Sequence, residues 1–121
     1  MKRIPLLATI GAAVALGLAG PALAHTKLVG STPAAGATVR TGPNTITLTF
    51  NERIVPSFSK FTVSMPAHRM DVPVKTMVSE DGKRIVGTLD QRLGAGDYKI
   101  SWTAAGSDGH RVNGELAFKV G

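Results

Sequence analysis

The chain has no cysteine, so neither a disulfide framework nor thiolate metal chemistry is available to it. Aromatic residues are scarce, with one Trp, one Tyr and four Phe among 121 residues. That leaves too few to build a surface row on which bases could stack. Lys and Arg outnumber Asp and Glu by 14 to 8, but the basic residues are scattered. They describe a solvated basic surface, and nucleic acid is not expected as a partner. No stretch after His25 carries the apolar period of an amphipathic helix. The long apolar run, Ile4 to Ala19, is shorter than the about 20 residues of a bilayer span, and no charged stop-transfer flank follows it.

That run belongs instead to a targeting segment. Lys2 and Arg3 precede it, Gly20-Pro21 breaks it, and Ala22-Leu23-Ala24 is the small-x-small pattern cut by signal peptidase. We therefore expect a signal peptide over 1–24 and one exported domain over 25–121. Removing 24 of the 121 residues leaves 97, enough for one core and too few for two. Without Lys2 and Arg3, 12 basic residues face 8 acidic ones, a charge near +4. Cleavage would make His25 the first residue, with an α-amine and an imidazole Nδ1 that can close a chelate ring on one metal ion. This stretch alone does not separate that role from a chance neighbour of the cut.

After His25 the chain reads as strands. Thr45 to Phe50 alternates threonine with apolar residues, Lys60 to Met65 repeats the pattern, and Tyr98 to Thr103 places Tyr98, Ile100 and Trp102 on one face. Glu115 to Val120 turns Leu116, Phe118 and Val120 inward. Weaker strands are expected at Lys27-Leu28-Val29, Val72-Pro73-Val74 and Arg84 to Leu89. Asp81-Gly82 marks a hairpin between Thr76-Met77-Val78 and Ile85-Val86, and Met77 is expected in the core. Short strands at this spacing predict an all-β fold, a small Greek-key barrel or sandwich.

Two polar features stand out from this pattern. Asp108-Gly109-His110 follows the Trp102 strand, and in an extended segment Asp108 and His110 project to the same side. Gly109 would let the backbone bend them around one ion. The competing reading is a polar loop in which Asp108 caps a turn and His110 sits in solvent. If strand ends bring His25 to this loop, an amine, two imidazoles and a carboxylate assemble. Such a set without sulfur suits Cu(II) in tetragonal geometry, with Zn(II) and Ni(II) as lesser candidates.

The mature chain resembles the CopC family of periplasmic copper-binding proteins. The resemblance rests on His25-Thr26-Lys27-Leu28-Val29-Gly30-Ser31-Thr32-Pro33 and Ile46-Thr47-Leu48-Thr49-Phe50-Asn51-Glu52. It continues through Tyr98-Lys99-Ile100-Ser101-Trp102, Ser107-Asp108-Gly109-His110, Gly114 and Phe118-Lys119-Val120. It implies an immunoglobulin-like or cupredoxin-like Greek-key barrel in the periplasm that binds Cu(II) through His25, Asp108 and His110, with Glu52 as a nearby carboxylate. Methionine-rich members also have a loop that binds Cu(I). Here the corresponding segment is Met65-Pro66-Ala67-His68-Arg69-Met70. Met65, His68 and Met70 could hold Cu(I), although Arg69 opposes a cation. The simpler reading is two apolar anchors, Met65 and Met70, beside an exposed His68. The implied role is a non-enzymatic copper carrier in homeostasis and resistance. Its implied partners are a CopD-type inner-membrane protein and multicopper oxidases, and a monomer is expected.

Two other classes remain open. An N-terminal histidine with a second histidine also holds copper in lytic polysaccharide monooxygenases. Those enzymes need an open coordination position and a flat binding face. Here Tyr98 and Trp102 both fall on the inner face, and Asp108 would fill the open position. The third class is an exported immunoglobulin-like domain without tight metal binding.

Overall fold

A computed structural model describes residues 25–121; the expected signal peptide lies outside them. Nine strands form two sheets packed face to face. One sheet takes the order β1 (Leu28–Thr32), β3 (Thr45–Phe50), β7 (Arg84–Leu89), β6 (Val74–Val78). The other takes β2 (Thr38–Val39), β9 (Arg111–Val120), β8 (Gly96–Ala105), β4 (Lys60–Met65), β5 (Met70–Val72). All pairings are antiparallel except β2 with β9. The chain passes between the sheets after β1, β2, β3, β5 and β7, which makes a Greek-key sandwich of the expected class.

Period-two alternation sets which side chains the sheets share. Ile46, Leu48 and Phe50 of β3 and Ile85 and Leu89 of β7 point inward against Phe61 and Val63 of β4 and Ile100 of β8. Leu116, Phe118 and Val120 of β9 complete this layer as expected. Tyr98 stacks on Phe118 with ring centroids 5.4 Å apart, and its hydroxyl donates to the Gly94 carbonyl at 2.8 Å. That bond satisfies the phenol's polar end at the rim of the core and pins the loop before β8. Trp102 is half-buried and meets Phe50 edge-on at 5.2 Å.

The strands at Thr45–Phe50, Lys60–Met65 and Arg84–Leu89 have the expected bounds, and the Asp81-Gly82 hairpin joins β6 to β7. Asp81 closes that turn by accepting from the Lys83 N–H at 3.0 Å and pairing with Arg84. The Ser79 hydroxyl, the Lys83 amide and Arg84 hold its carboxyl down at about 2. Two expectations are corrected. Pro73 does not lie within a strand: it separates β5 from β6 and carries the chain from one sheet to the other, since it cannot donate to a ladder. Met77 is not in the core but 70% exposed. Parity decides this, because Val74, Thr76 and Val78 take the inward positions of β6 and leave Met77 outward beside Val86.

The sheet edges are short or irregular. β2 has two residues and β5 three, and β1 has a register break between Leu28 and Gly30.

Because Leu48 is fully buried between the sheets, Leu48→Ala should lower the unfolding free energy in urea by about 2–5 kcal/mol. Met77→Ala should change it by less than about 0.5 kcal/mol, as expected of a surface position.

Candidate metal centre

One end of the sandwich collects the start of β1, the segment after β3 and the turn between β8 and β9. The turn begins where the Ala105–Arg111 pair ends the long β8–β9 ladder. The Gly109 N–H donates to the Gly106 carbonyl at 2.9 Å, and the Gly106 N–H donates to the His110 carbonyl at 3.2 Å. Gly109 has φ 86°, in the left-handed region that a short hairpin loop needs at this point and that glycine adopts without strain. The turn therefore folds Asp108 and His110 onto each other.

Their contact has two parts. The backbone N–H of His110 donates to Asp108 Oδ1 at 2.9 Å, and His110 Nδ1 lies 2.9 Å from Asp108 Oδ2. The side chains are still open to solvent, His110 at 80% and Asp108 at 50%. Each carboxylate oxygen keeps a free lone pair, and the Nε2 of His110 is left for another partner. The imidazole hydrogen bond and the backbone amide pull Asp108 below its ordinary value of 3.8, and Asp108 in turn raises His110 above 6.5. Asp108 thus caps the turn and His110 stands in solvent, as in the polar-loop reading, and the two side chains meet through that turn and not through an extended segment.

Gly106 shows how closely the other elements approach. A Cβ there would collide with Thr26 Oγ1 and lie 2.7 Å from Glu52 Oε1 and 3.5 Å from Asp108 Oδ1. Three oxygens from distant parts of the chain thus converge on a place kept open by the missing side chain. Glu52 reaches it because the segment after β3 is stitched to the end of β8. The Val55 N–H donates to the Ala105 carbonyl at 2.8 Å, and Ile54 bridges Gly106. Thr26 is buried at 7% exposure, and His25 before it is exposed. The His25 carbonyl accepts from Asn51 Nδ2 at 3.0 Å.

Among the described residues, no three His, Asp or Glu side chains are gathered closely enough to hold a metal. What meets is the Asp108–His110 pair, with Glu52 and the His25–Thr26 backbone beside it. The donor chemistry present there, imidazole nitrogen and carboxylate oxygen without sulfur, fits Cu(II). Three participants carried no role in the sequence reading: Asn51, Thr26 and Gly106. The one available signal was the placement of Asn51-Glu52 directly after the β3 pattern.

Met65, His68 and Met70 lie at the other end. Met65 and Met70 are register partners across β4 and β5, which puts their side chains on the same face. His68 ends a short 3-10 helix, Pro66–His68, and is exposed. Arg69 follows in the left-handed region at φ 52°. Met65 packs against the core and adjoins Gly96 at the start of β8. Met70 is 55% exposed, so only one of the two expected apolar anchors is an anchor. Because β8 spans ten residues from Gly96 to Ala105, the two ends are separated by about 30 Å at the usual strand rise.

The chain is similar to known proteins in sequence and in fold. The family model of the CopC domain matches residues 28–121. Copper resistance protein C of Xanthomonas campestris pv. juglandis is 39% identical over 121 residues, covering 94% of each chain. Copper resistance protein C of Pseudomonas syringae pv. tomato is 41% identical over 105 residues, covering 82% of each. The crystal structure of PcoC, a methionine-rich copper resistance protein from Escherichia coli, superposes with a TM-score of 0.73 at 33% identity. It is matched over 81% of this chain and 100% of its own.

The mutual shifts fix the sign of a pH effect. A raised His110 value stabilises the fold below the unfolded histidine value and loses that contribution as pH rises through the folded one. A lowered Asp108 value stabilises above the ordinary carboxyl value and is lost as pH falls through the folded one. The pair therefore contributes most between the two. In metal-free protein, the His110 ring proton followed by NMR should titrate above 6.5, and Asp108→Asn should move that midpoint down.

Proposed function

This chain belongs to the CopC family, and on that footing we propose that it is a periplasmic Cu(II) carrier loaded through its mature N-terminus. The observation that carries the proposal is the Asp108–His110 pair, held by a hairpin turn beside Glu52 and the start of β1. Removal of 1–24 would free the α-amine of His25. That amine and the His25 imidazole would form one chelate, and His110 Nε2 and an Asp108 oxygen would complete a three-nitrogen, one-oxygen set. Copper is cargo here, and the protein supplies donors and no reaction. Glu52 adds a neighbouring negative charge that favours a cation.

Exposure of His110 supports exchange of the ion with a second protein, since an incoming ligand can reach the metal from solvent. In this proposal the receiving partner is a CopD-type inner-membrane protein, with multicopper oxidases as further associates. Among the described residues no helix is long and apolar enough to cross a membrane. The names of the relatives support a place in copper resistance. Both chelating nitrogens of His25 must be deprotonated to bind. With a free α-amine value of about 8, affinity should fall as pH drops.

Met65 and Met70 support a second, separate proposal. Two thioethers facing the same way, with His68 on the intervening loop, could take Cu(I), the softer ion. Arg69 beside them works against it, and we assign the principal role to the Cu(II) end.

The experiment is isothermal titration of Cu(II) into protein beginning at His25. One ion should bind per chain. A single residue added before His25, or His110→Ala, should each weaken binding by about tenfold or more, the loss of roughly one good ligand interaction. Unchanged affinity in the extended protein would remove the chelate from the site. Hydrogen peroxide production with a reductant, well above that of free copper, would favour the monooxygenase class instead.

A further inference from the structure

We propose that Asn51 is a positioning residue for the copper site, clamping the first residues of the mature chain so that the His25 chelate faces Asp108 and His110. The inference rests on the Cu(II) assignment above and goes beyond its ligands.

The β1–β3 ladder ends at the Leu28–Phe50 pair, and after Asn51 the chain turns away toward Gly106. With no further strand to pair with, residues 25–27 would be a loose end. Asn51 takes over from the ladder with three hydrogen bonds. Its own N–H donates to the Lys27 carbonyl at 3.0 Å. Its side-chain Oδ1 accepts from the Lys27 N–H at 2.8 Å, and its Nδ2 donates to the His25 carbonyl at 3.0 Å. The carboxamide thus stands in for a strand peptide, presenting a donor and an acceptor on two separate atoms of a short stem, which neither the single hydroxyl of Ser, nor an ionised Asp, nor Ala can do.

The clamp also fixes place. Thr26 is buried beside Gly106, the residue that leads into the Asp108–His110 turn, and His25 next to it is exposed, so holding the backbone of residues 25–27 keeps the N-terminal nitrogens at this end of the sandwich. A free N-terminus has a single covalent anchor, and ordering it at the moment of binding would cost affinity. A clamp formed on folding moves that cost away from the binding step.

Asn51 is exposed, so Asn51→Ala should fold, and circular dichroism with a melting curve checks that it does. Cu(II) affinity is measured by chelator competition for the mature wild type, Asn51→Ala, His25→Ala, the double variant and His110→Ala. Asn51→Ala should weaken Cu(II) binding on the order of tenfold, and the 15N heteronuclear NOE at Thr26 and Lys27 should fall in the metal-free protein. In the His25→Ala background, which keeps the α-amine but lacks the imidazole, Asn51→Ala should cost less than in the wild type, because the residue acts only through the chelate. Wild-type affinity in Asn51→Ala, or an equal loss in both backgrounds, would overturn the proposal. If His110→Ala weakens binding while Asn51→Ala does not, the proposal falls and the Cu(II) assignment stands. If His110→Ala also leaves binding unchanged, both fall.

Discussion

Contact between the inner faces of the two sheets holds this domain together, because no covalent cross-link is available to do so. A cysteine-free chain of this size must find its stability in packing, and here the alternation in β3, β4, β7, β8 and β9 supplies one continuous apolar layer. The layer also gives the site its rigidity. β8 and β9 are the longest strands, and their shared ladder runs unbroken to the turn carrying Asp108 and His110. A polar pair on a loose loop would have to be ordered by its ligand. At the end of a ten-residue ladder it is ordered by the core.

The candidate centre is a junction of distant pieces. Its parts come from residues 25–27 ahead of β1, from the segment after β3 and from the last hairpin, and the Greek-key path brings them to one end. Gly106 is where they touch: the absence of one side chain lets Thr26, Glu52 and Asp108 share a small volume. The electrostatics are local and mutual, since the carboxylate and the imidazole each move the other's titration away from its ordinary value.

Much of the fold was legible because one-sided burial leaves a period-two trace. Thr45–Phe50 and Arg84–Leu89 could be bounded to the residue. The trace failed where parity or turns outweighed composition. Met77 is apolar yet stands on the outward side of β6, and hydropathy alone cannot say which way a strand in the sheet's edge position faces. Pro73 looked like part of a strand because its neighbours are valines, whereas its missing N–H makes it the crossing between sheets. At the site, Asp108 and His110 were recognisable by residue type and spacing, but the turn that joins them needed Gly106 and Gly109 to be read together. The role of Asn51 was hidden for a different reason. Its partners are backbone groups 24 and 26 residues away, and such a bond leaves no mark in local sequence.

The blunt sheet margins have a bearing on how copies of this domain meet. A strand with unpaired backbone groups is a template on which a second chain can add itself. The edge strands offer little of that, although β2 covers only the end of β9 and leaves its outer side from Arg111 to Leu116 without a partner strand. β2 and β5 are too short to nucleate pairing, β1 is interrupted by its register break, and β6 starts beside Pro73 and carries Lys75 outward. A domain without disulfides thus presents its copies with few places to join at these edges, and along the open stretch of β9 the exposed charges of Arg111 and Glu115 take over the same task.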